Sequence, residues 1–235
     1  MRYARLSPEE RKAEILGMAR KVLGEVFHES FLPLRVAERC GISEATVYRY
    51  FPTKQDLLVA IAEEWVSELI SMHVALDEFE DIFSRLKCAI RHSLETVNLE
   101  PAIARFIFIS VRIDPNYRNT KLYKLIAQFT SLTTKVIEEG MRKGFFRDDV
   151  PIQLVRDLIF GAIEHQMWPY LRHEVDPPPL DKVAEKIAQM IYRGLATSSP
   201  VKIELFEKSI SRMETSLDSI KDEILMLEKA VDLDL

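Results

Sequence analysis

Polar and aromatic side chains that could bind another macromolecule are grouped near the start of the chain, and their spacing is not typical of a catalytic site. The segment 33–54 holds two short helical stretches separated by Gly41, and Ser43 is placed to cap the second stretch. Gly41 permits the positive backbone angle that a tight turn between helices requires. Ala37 allows close approach of the helices, and Val47 supplies an apolar contact between them. These are the requirements of a helix-turn-helix, a unit whose second helix enters the DNA major groove.

The charge distribution favours a polyanionic partner for this part of the chain alone. The 235 residues have a net charge of −5, yet positions 1–56 contain ten Lys and Arg against eight Asp and Glu. The first 56 residues therefore have a net charge of +2 and the remainder −7. The alternative for the same segment is a three-helix bundle without a role in DNA binding.

Composition excludes several other classes of protein. Hydrophobic residues make up 47% of the chain and charged residues 29%, which is typical of a globular protein. The longest apolar run, 102–111, is interrupted by Arg105 and is shorter than the ~20 residues of a bilayer span, so no membrane partner is expected. No export signal is visible, and Cys40 and Cys88 are widely separated, so we expect reduced thiols and a cytoplasmic location.

Apolar residues recur every three or four positions almost throughout, and only 7 residues are glycine, which together predict an all-α fold. Capping boxes at Ser7–Glu10 and Thr53–Asp56 mark the first helix and a long fourth helix that extends to about Leu76. Gly140 is expected to weaken the helix that contains it. Further helices are predicted at 82–98, 101–113, 117–143, 151–170 and 180–195.

The C-terminal segment 201–235 has a different pattern. Its apolar residues alternate at spacings of three and four over four heptads, which is typical of a coiled coil. They are Ile203, Phe206, Ile210, Met213, Leu217, Ile220, Ile224, Leu227 and Val231. We favour self-association of this helix, and the alternative is an amphipathic helix that folds back on the body.

The stretch from Gly41 to Leu58, GISEATVYRYFPTKQDLL, resembles the corresponding segment of the tetracycline-repressor (TetR) family of transcription regulators. The specific match covers about residues 10–60. The resemblance implies a DNA-binding domain at 1–56 and a helical domain for ligand binding and dimerisation at 57–196. It also implies a ligand-responsive regulator, by default a repressor, that acts on double-stranded operator DNA.

The resemblance assigns DNA contacts residue by residue. Glu44, Ala45 and Thr46 match positions that contact base edges, and Arg49 could reach a guanine or a phosphate. Positions that hold phosphate are matched by Tyr48, Tyr50 and Lys54, and Ser43 caps the helix that bears most of these groups. One departure is Leu32-Pro33, where the family commonly has a hydroxyl that caps the helix and binds phosphate.

In the family, the last two helices of the body form the dimer interface. Their apolar faces here include Leu154, Leu158, Ala162, Ile187, Met190 and Ile191, and burial in a monomeric core is the competing interpretation. An isologous homodimer would place two recognition helices about one DNA turn apart, so we expect a palindromic operator.

The helices at 82–143 would surround a small-molecule effector. The candidate contacts are Phe83, Leu86, Ile90, His92, Arg105, Phe106, Ile109, Arg112 and Phe129, and ordinary core packing is the alternative for each. Apolar helices flanked by arginine would suit an elongated apolar effector with an anionic end, such as a fatty acid or acyl-coenzyme A. Ligand binding would move the fourth helix and with it the DNA-binding domain.

Two other classes of function, an enzyme and an oligomeric scaffold, are the alternatives to a DNA-binding regulator. The five histidines are scattered, and no metal-ligand spacing, nucleophile elbow or phosphate loop occurs, so no enzyme, metal or cofactor is predicted. The second alternative is an oligomeric scaffold in which the C-terminal helix is primary and the helix-turn-helix is only structural.

Overall fold

The computed structural model describes residues 6–197, 211–213, 216–217 and 221. Residues 6–197 form nine α-helices, and 211–213, 216–217 and 221 are also helical. Among the described residues an isolated bridge between Phe146 and Ala196 is the only β-type pairing, so the all-α prediction is confirmed. The helices are α1 (Pro8–Glu25), α2 (Pro33–Cys40), α3 (Glu44–Tyr50), α4 (Lys54–Ser71), α5 (Ile82–Leu99), α6 (Pro101–Phe106), α7 (Lys121–Arg142), α8 (Ile152–Leu171) and α9 (Leu180–Leu195).

Short-range signals located the first four helices well. The Ser7 hydroxyl accepts from Glu10 N at 3.2 Å while the Glu10 carboxylate accepts from Ser7 N at 2.8 Å, and Thr53 and Asp56 form the same capping box ahead of α4. The prediction that α4 extends to Leu76 is wrong. The helix ends at Ser71, and Leu76 lies in a separate 3₁₀ turn.

The helices α1, α2 and α3 form a small head whose core contains Val22, Leu23, Val36, Val47 and Phe51, all buried. The remaining helices form the body, in which α5 packs along α9 and α7 lies between α4 and α8. The fourth helix belongs to both units, because the proposed boundary after residue 56 falls in its first turn.

The sixth helix ends at Phe106 and continues directly into a π-helical turn over Ile107–Val111, where Arg112 N donates to Ile107 O at 3.3 Å. The predicted helix 117–143 begins later, at Lys121, after a 3₁₀ turn at Tyr117–Asn119. The predicted coiled coil at 201–235 lies almost entirely outside the described residues.

Candidate functional site

The turn between α2 and α3 has the geometry that the sequence predicted. Gly41 adopts φ of 64°, and Ile42 N donates to Ala37 O at 3.0 Å, which closes α2. The Ser43 hydroxyl accepts from Thr46 N at 3.2 Å and lies 2.9 Å from the Thr46 hydroxyl. With Val47 buried beneath it, α3 is fixed at its N-terminus and along one side.

The opposite side of α3 is open to solvent. Ala45, Tyr48 and Arg49 are exposed, and Glu44 and Thr46 are half-buried. The Arg49 guanidinium lies 5.4 Å from the centroid of the Tyr50 ring. This face presents a cation, two phenols and a small methyl group, which can recognise phosphates and base edges in a groove that admits one helix.

Lys54 is held in place before any ligand is present. Its ammonium group donates to the backbone carbonyl of Glu29, in the turn between α1 and α2, at 3.1 Å. An ammonium has three protons, so two remain for a phosphate at the N-terminus of α4. The contact with Glu29 had no signal in the sequence, because the two residues are far apart in the chain.

The missing hydroxyl at the start of α2 is confirmed. Leu32 is the N-cap, it makes no side-chain capping bond, and 52% of its surface is exposed. Because α2 begins at Pro33, Ser30 does not replace the cap; its backbone N–H instead donates to Phe27 O at 2.9 Å in the preceding turn.

A cavity lies within the body between α4, α5, α6, α7 and α8. Its empty volume, which includes solvent at its open end, is about 560 Å³. We call it the central cavity. Its lining is Trp65, Val66, Leu69, Ser93, Thr96, Val97, Ala104, Ile107, Phe108, Arg112, Ile126, Phe129, Thr130, Phe160 and Ile163.

The central cavity is chemically more apolar than its three hydroxyl residues suggest. Ser93, Thr96 and Thr130 each donate to a backbone carbonyl of their own helix, at 3.1, 2.8 and 3.2 Å. These hydroxyls therefore need no partner from a ligand, and an apolar chain could fill the space without leaving a donor unsatisfied.

A wider, polar opening adjoins the central cavity, and we call it the arginine mouth. Its empty volume, including open solvent, is about 1090 Å³, and it shares Arg112, Ile126, Thr130 and Phe160 with the central cavity. Its other lining residues are Tyr117, Arg118, Tyr123, Ala127, Arg156, Asp157, Gly161 and Glu164. Three arginines against two carboxylates leave the mouth positively charged.

The arginines of the mouth differ in their partners. Arg112 donates to the Glu164 carboxylate at 2.6 Å with its guanidinium 5.0 Å from the centroid of the Phe108 ring, and Arg156 pairs with Asp157 at 2.8 Å. Arg118 makes no ion pair with any residue that the structure describes. Burial raises the pKa of Tyr117, so its hydroxyl remains a donor. An anionic group entering here meets one free guanidinium and a phenol.

Of the nine predicted ligand residues, only Arg112 and Phe129 line the central cavity. His92 lines a neighbouring space described below. Leu86, Ile90 and Phe106 are fully buried in the core, Phe83 packs edge-to-face on Tyr192 at 5.6 Å, and Ile109 is half-buried away from the lining. The placement of these five in the site is a correction to the sequence analysis: apolar periodicity identifies a buried face but not what the face contacts.

Arg105 was also predicted as a ligand contact, and the structure places it where the body meets the head. Its guanidinium donates to the Glu29 carboxylate at 3.0 Å and lies 4.2 Å from the centroid of the Phe27 ring. Beside it, His28 Nε2 and the Ser110 hydroxyl are 2.8 Å apart. Burial lowers the pKa of His28, so this contact forms with a neutral imidazole near neutral pH.

One face of α8 and α9 leaves apolar side chains in solvent. Leu154, Leu158 and Met190 are 51%, 55% and 76% exposed. Of the other predicted dimer residues, Ala162 and Ile191 are half-buried. Ile187 is a correction, because it is 7% exposed and packs into the core of its own chain.

The described residues contain no cluster of three or more His, Cys, Asp or Glu side chains arranged to hold a metal ion. None of the described helices combines the length and the apolar character that crossing a membrane requires. Cys40 and Cys88 are free thiols whose pKa burial raises.

Comparison with known proteins decides the family. The model for bacterial regulatory proteins of the tetR family matches residues 34–61, and the model for the C-terminal region of YsiA-like proteins, a TetR type, matches residues 63–194, more than half of the chain. The chain belongs to the TetR family. It is a ligand-responsive transcription regulator that binds operator DNA as a dimer.

Curated relatives agree with this assignment. The fatty acid metabolism regulator protein of Bacillus subtilis (strain 168) is 19% identical over 68% of this chain and 84% of its own. The transcriptional repressor KstR2 of Rhodococcus jostii (strain RHA1) is 22% identical over 80% of this chain and 92% of its own. The first is named a regulator protein and the second a transcriptional repressor.

A solved structure shares the fold. The regulator FadR from Bacillus subtilis in complex with stearoyl-CoA superposes with a TM-score of 0.63, at 19% identity, over 77% of this chain and 98% of its own. At this identity the superposition supports the helical architecture of head and body.

Proposed function

We propose that this protein represses transcription from a palindromic operator and is released from it by a long-chain acyl-coenzyme A thioester. The observation that supports the effector class is the junction of an apolar central cavity with a positively charged arginine mouth. An acyl chain would fill the first, and the anionic coenzyme would lie at the second. The protein would act in the cytoplasm on chromosomal DNA.

The named relatives support the same effector class independently of the cavity. One curated relative is a fatty acid metabolism regulator, and the solved FadR structure holds stearoyl-CoA. The scaffold alternative has no comparable support, because every relative named here is a regulator.

Operator binding is assigned to the head, residues 1–56. We propose that the polar face of α3 contacts the bases and that the residues around it contact phosphate. The proposed DNA contacts are Ser43, Glu44, Ala45, Thr46, Tyr48, Arg49, Tyr50 and Lys54. The dimer of the body, residues 57–196, would form through Leu154, Leu158 and Met190, with Ala162 and Ile191 beside them.

The fourth helix provides a direct connection between the two sites. It begins at Lys54, which is a proposed phosphate contact, and Trp65, Val66 and Leu69 further along it line the central cavity. An acyl chain that displaces these three side chains would rotate the whole helix and the attached head. An effector that prefers the displaced state ~100-fold contributes about 2.7 kcal/mol toward release.

The test begins with selection of genomic fragments on the purified protein, followed by binding assays on the enriched operator. Tyr48→Ala and Lys54→Ala should remove the enrichment. Addition of stearoyl-CoA should release the wild-type protein, whereas coenzyme A alone should not, because it leaves the central cavity empty. Free stearate separates the two possible sources of an acyl chain, and release by stearate with no response to the thioester would refute the proposed effector.

A matched pair of variants tests the arginine mouth. Arg118→Ala should weaken the response to stearoyl-CoA about fivefold, since an exposed ion pair contributes about 1 kcal/mol. Arg142→Ala removes the same charge from an exposed position at the end of α7, outside the lining of the mouth, and should change nothing. Equal responses of the two variants would contradict the proposed position of the coenzyme.

A further inference from the structure

A second space adjoins the central cavity on the side away from the arginine mouth, and we call it the side chamber. Its empty volume, including open solvent, is about 580 Å³, and its lining includes His92, Gln128, Ser131 and Lys135. No residue lines both the side chamber and the arginine mouth, so the central cavity lies between them. Only Leu69 and Phe129 appear in the linings of both the central cavity and the side chamber.

Phe129 separates two environments of different polarity. On one side the central cavity has satisfied hydroxyls and apolar walls. On the other side the ring centroid of Phe129 lies 5.7 Å from that of His92, with the ring planes tilted by 47°. His92 is half-buried, and Gln128 and Lys135 are exposed at the edge of the chamber.

The side chamber is bordered by apolar as well as polar side chains, because Ile70, Met72, Val74 and Leu132 also line it. These apolar side chains could bury further methylenes of an acyl chain if the chain were able to pass the phenyl ring. The phenyl ring is also the largest side chain common to the two spaces, so it decides whether they are continuous.

We propose that Phe129 sets the maximum length of the acyl chain that this regulator recognises, by closing the central cavity against the side chamber. The inference rests on the proposed effector and adds the residue that determines its chain length. The acyl chain enters from the arginine mouth and its methyl end stops at the phenyl ring. Chains longer than this limit gain no further contact.

The experiment measures binding of saturated acyl-coenzyme A thioesters, from dodecanoyl to docosanoyl, to the full-length protein by calorimetry. In the wild type, affinity should rise with chain length and then reach a plateau or fall. In Phe129→Ala the spaces become continuous, and the preferred chain should be longer. Each methylene that the variant newly buries should tighten binding by up to about fourfold, which corresponds to about 0.8 kcal/mol.

Two further variants distinguish a change in the preferred chain length from a general loss of stability. Phe129→Trp enlarges the ring, and its preferred chain should be shorter than that of the wild type. Gln128→Ala changes the neighbouring residue, which lines only the side chamber, and it should keep the wild-type length profile. A shift in opposite directions for Ala and Trp is not expected from general destabilisation.

The outcomes for the two proposals can be separated. If the wild type binds no thioester of any length, the proposed effector is wrong. If the wild type binds thioesters but both Phe129 variants keep its length profile, the effector stands and the role of Phe129 is refuted.

Discussion

Replacement of Gly140 by alanine should destabilise the protein, although the same change in a helix is normally favourable. Gly140 lies in α7, where alanine has a helix propensity about 1 kcal/mol better than glycine. A Cβ atom at this position would lie 2.2 Å from Cδ2 and 2.6 Å from Cε2 of Phe146. These separations are far below van der Waals contact, so the ring would have to move.

The Phe146 ring has little freedom to move. It is 2% exposed, and its centroid lies 5.5 Å from that of Tyr192. Its backbone is held as well, because Phe146 N donates to Gly140 O at 3.1 Å and the next residue, Arg147, donates to Leu195 O at 2.7 Å. Overpacking of this kind costs about 1–3 kcal/mol and can exceed the gain in propensity.

We therefore expect Gly140→Ala to lose up to about 2 kcal/mol of the free energy of unfolding, which corresponds to a melting temperature lower by up to roughly 8 °C. The matched control is Gly17→Ala in α1, where nothing lies within 4 Å of the added Cβ. This control should gain up to about 1 kcal/mol. Both are measured by circular dichroism at one protein concentration, because dimerisation makes the melting temperature depend on concentration. A melting temperature raised equally by both changes would refute the argument.

Two further predictions concern the dimer and pH. Leu158→Glu should convert the dimer to monomers in analytical ultracentrifugation, because it puts a carboxylate in the proposed interface, whereas Leu99→Glu, at an exposed leucine elsewhere, should leave it dimeric. Burial lowers the folded-state pKa of His28; Arg105 and Lys54 also disfavour the charged imidazole, whereas Glu29 favours it. The contribution of His28 to the free energy of unfolding is therefore fully present above its unfolded pKa of about 6.5. It is lost as the pH falls below that value, by at most about 1.4 kcal/mol per pH unit. His28→Asn should reduce that slope in melts between neutral and acidic pH, and an unchanged slope would contradict this assignment.

The helix boundaries could be predicted where their signals are local. Capping boxes and the turn at Gly41 depend on residues three or four positions apart, so the sequence contains all of their determinants. Gly140 shows the limit of this approach. It was expected to weaken its helix, whereas its main role is to make room for Phe146, which no local pattern indicates.

The ligand residues were harder to predict because the cavity depends on tertiary packing. Ala104, Ile107, Phe108 and Arg112 line the cavity and follow ordinary helical spacing, whereas the predicted Arg105 and Ile109 do not line it. Periodicity groups the residues of one face but does not indicate which face borders a cavity. Periodicity also placed Ile187 and Met190 on one apolar face without deciding which of them faces the core.

The leucine at the start of α2 has a consequence for how tightly the regulator holds DNA. Leu32 takes the place of a hydroxyl that commonly binds phosphate in the family, so a dimer with two heads would make two fewer such contacts. A neutral hydroxyl displaces no counterion from DNA, so its absence should leave the slope of log affinity against log salt concentration unchanged. The operator would then be bound more weakly at every ionic strength, and only the cations of the two heads would set how its occupancy responds to salt.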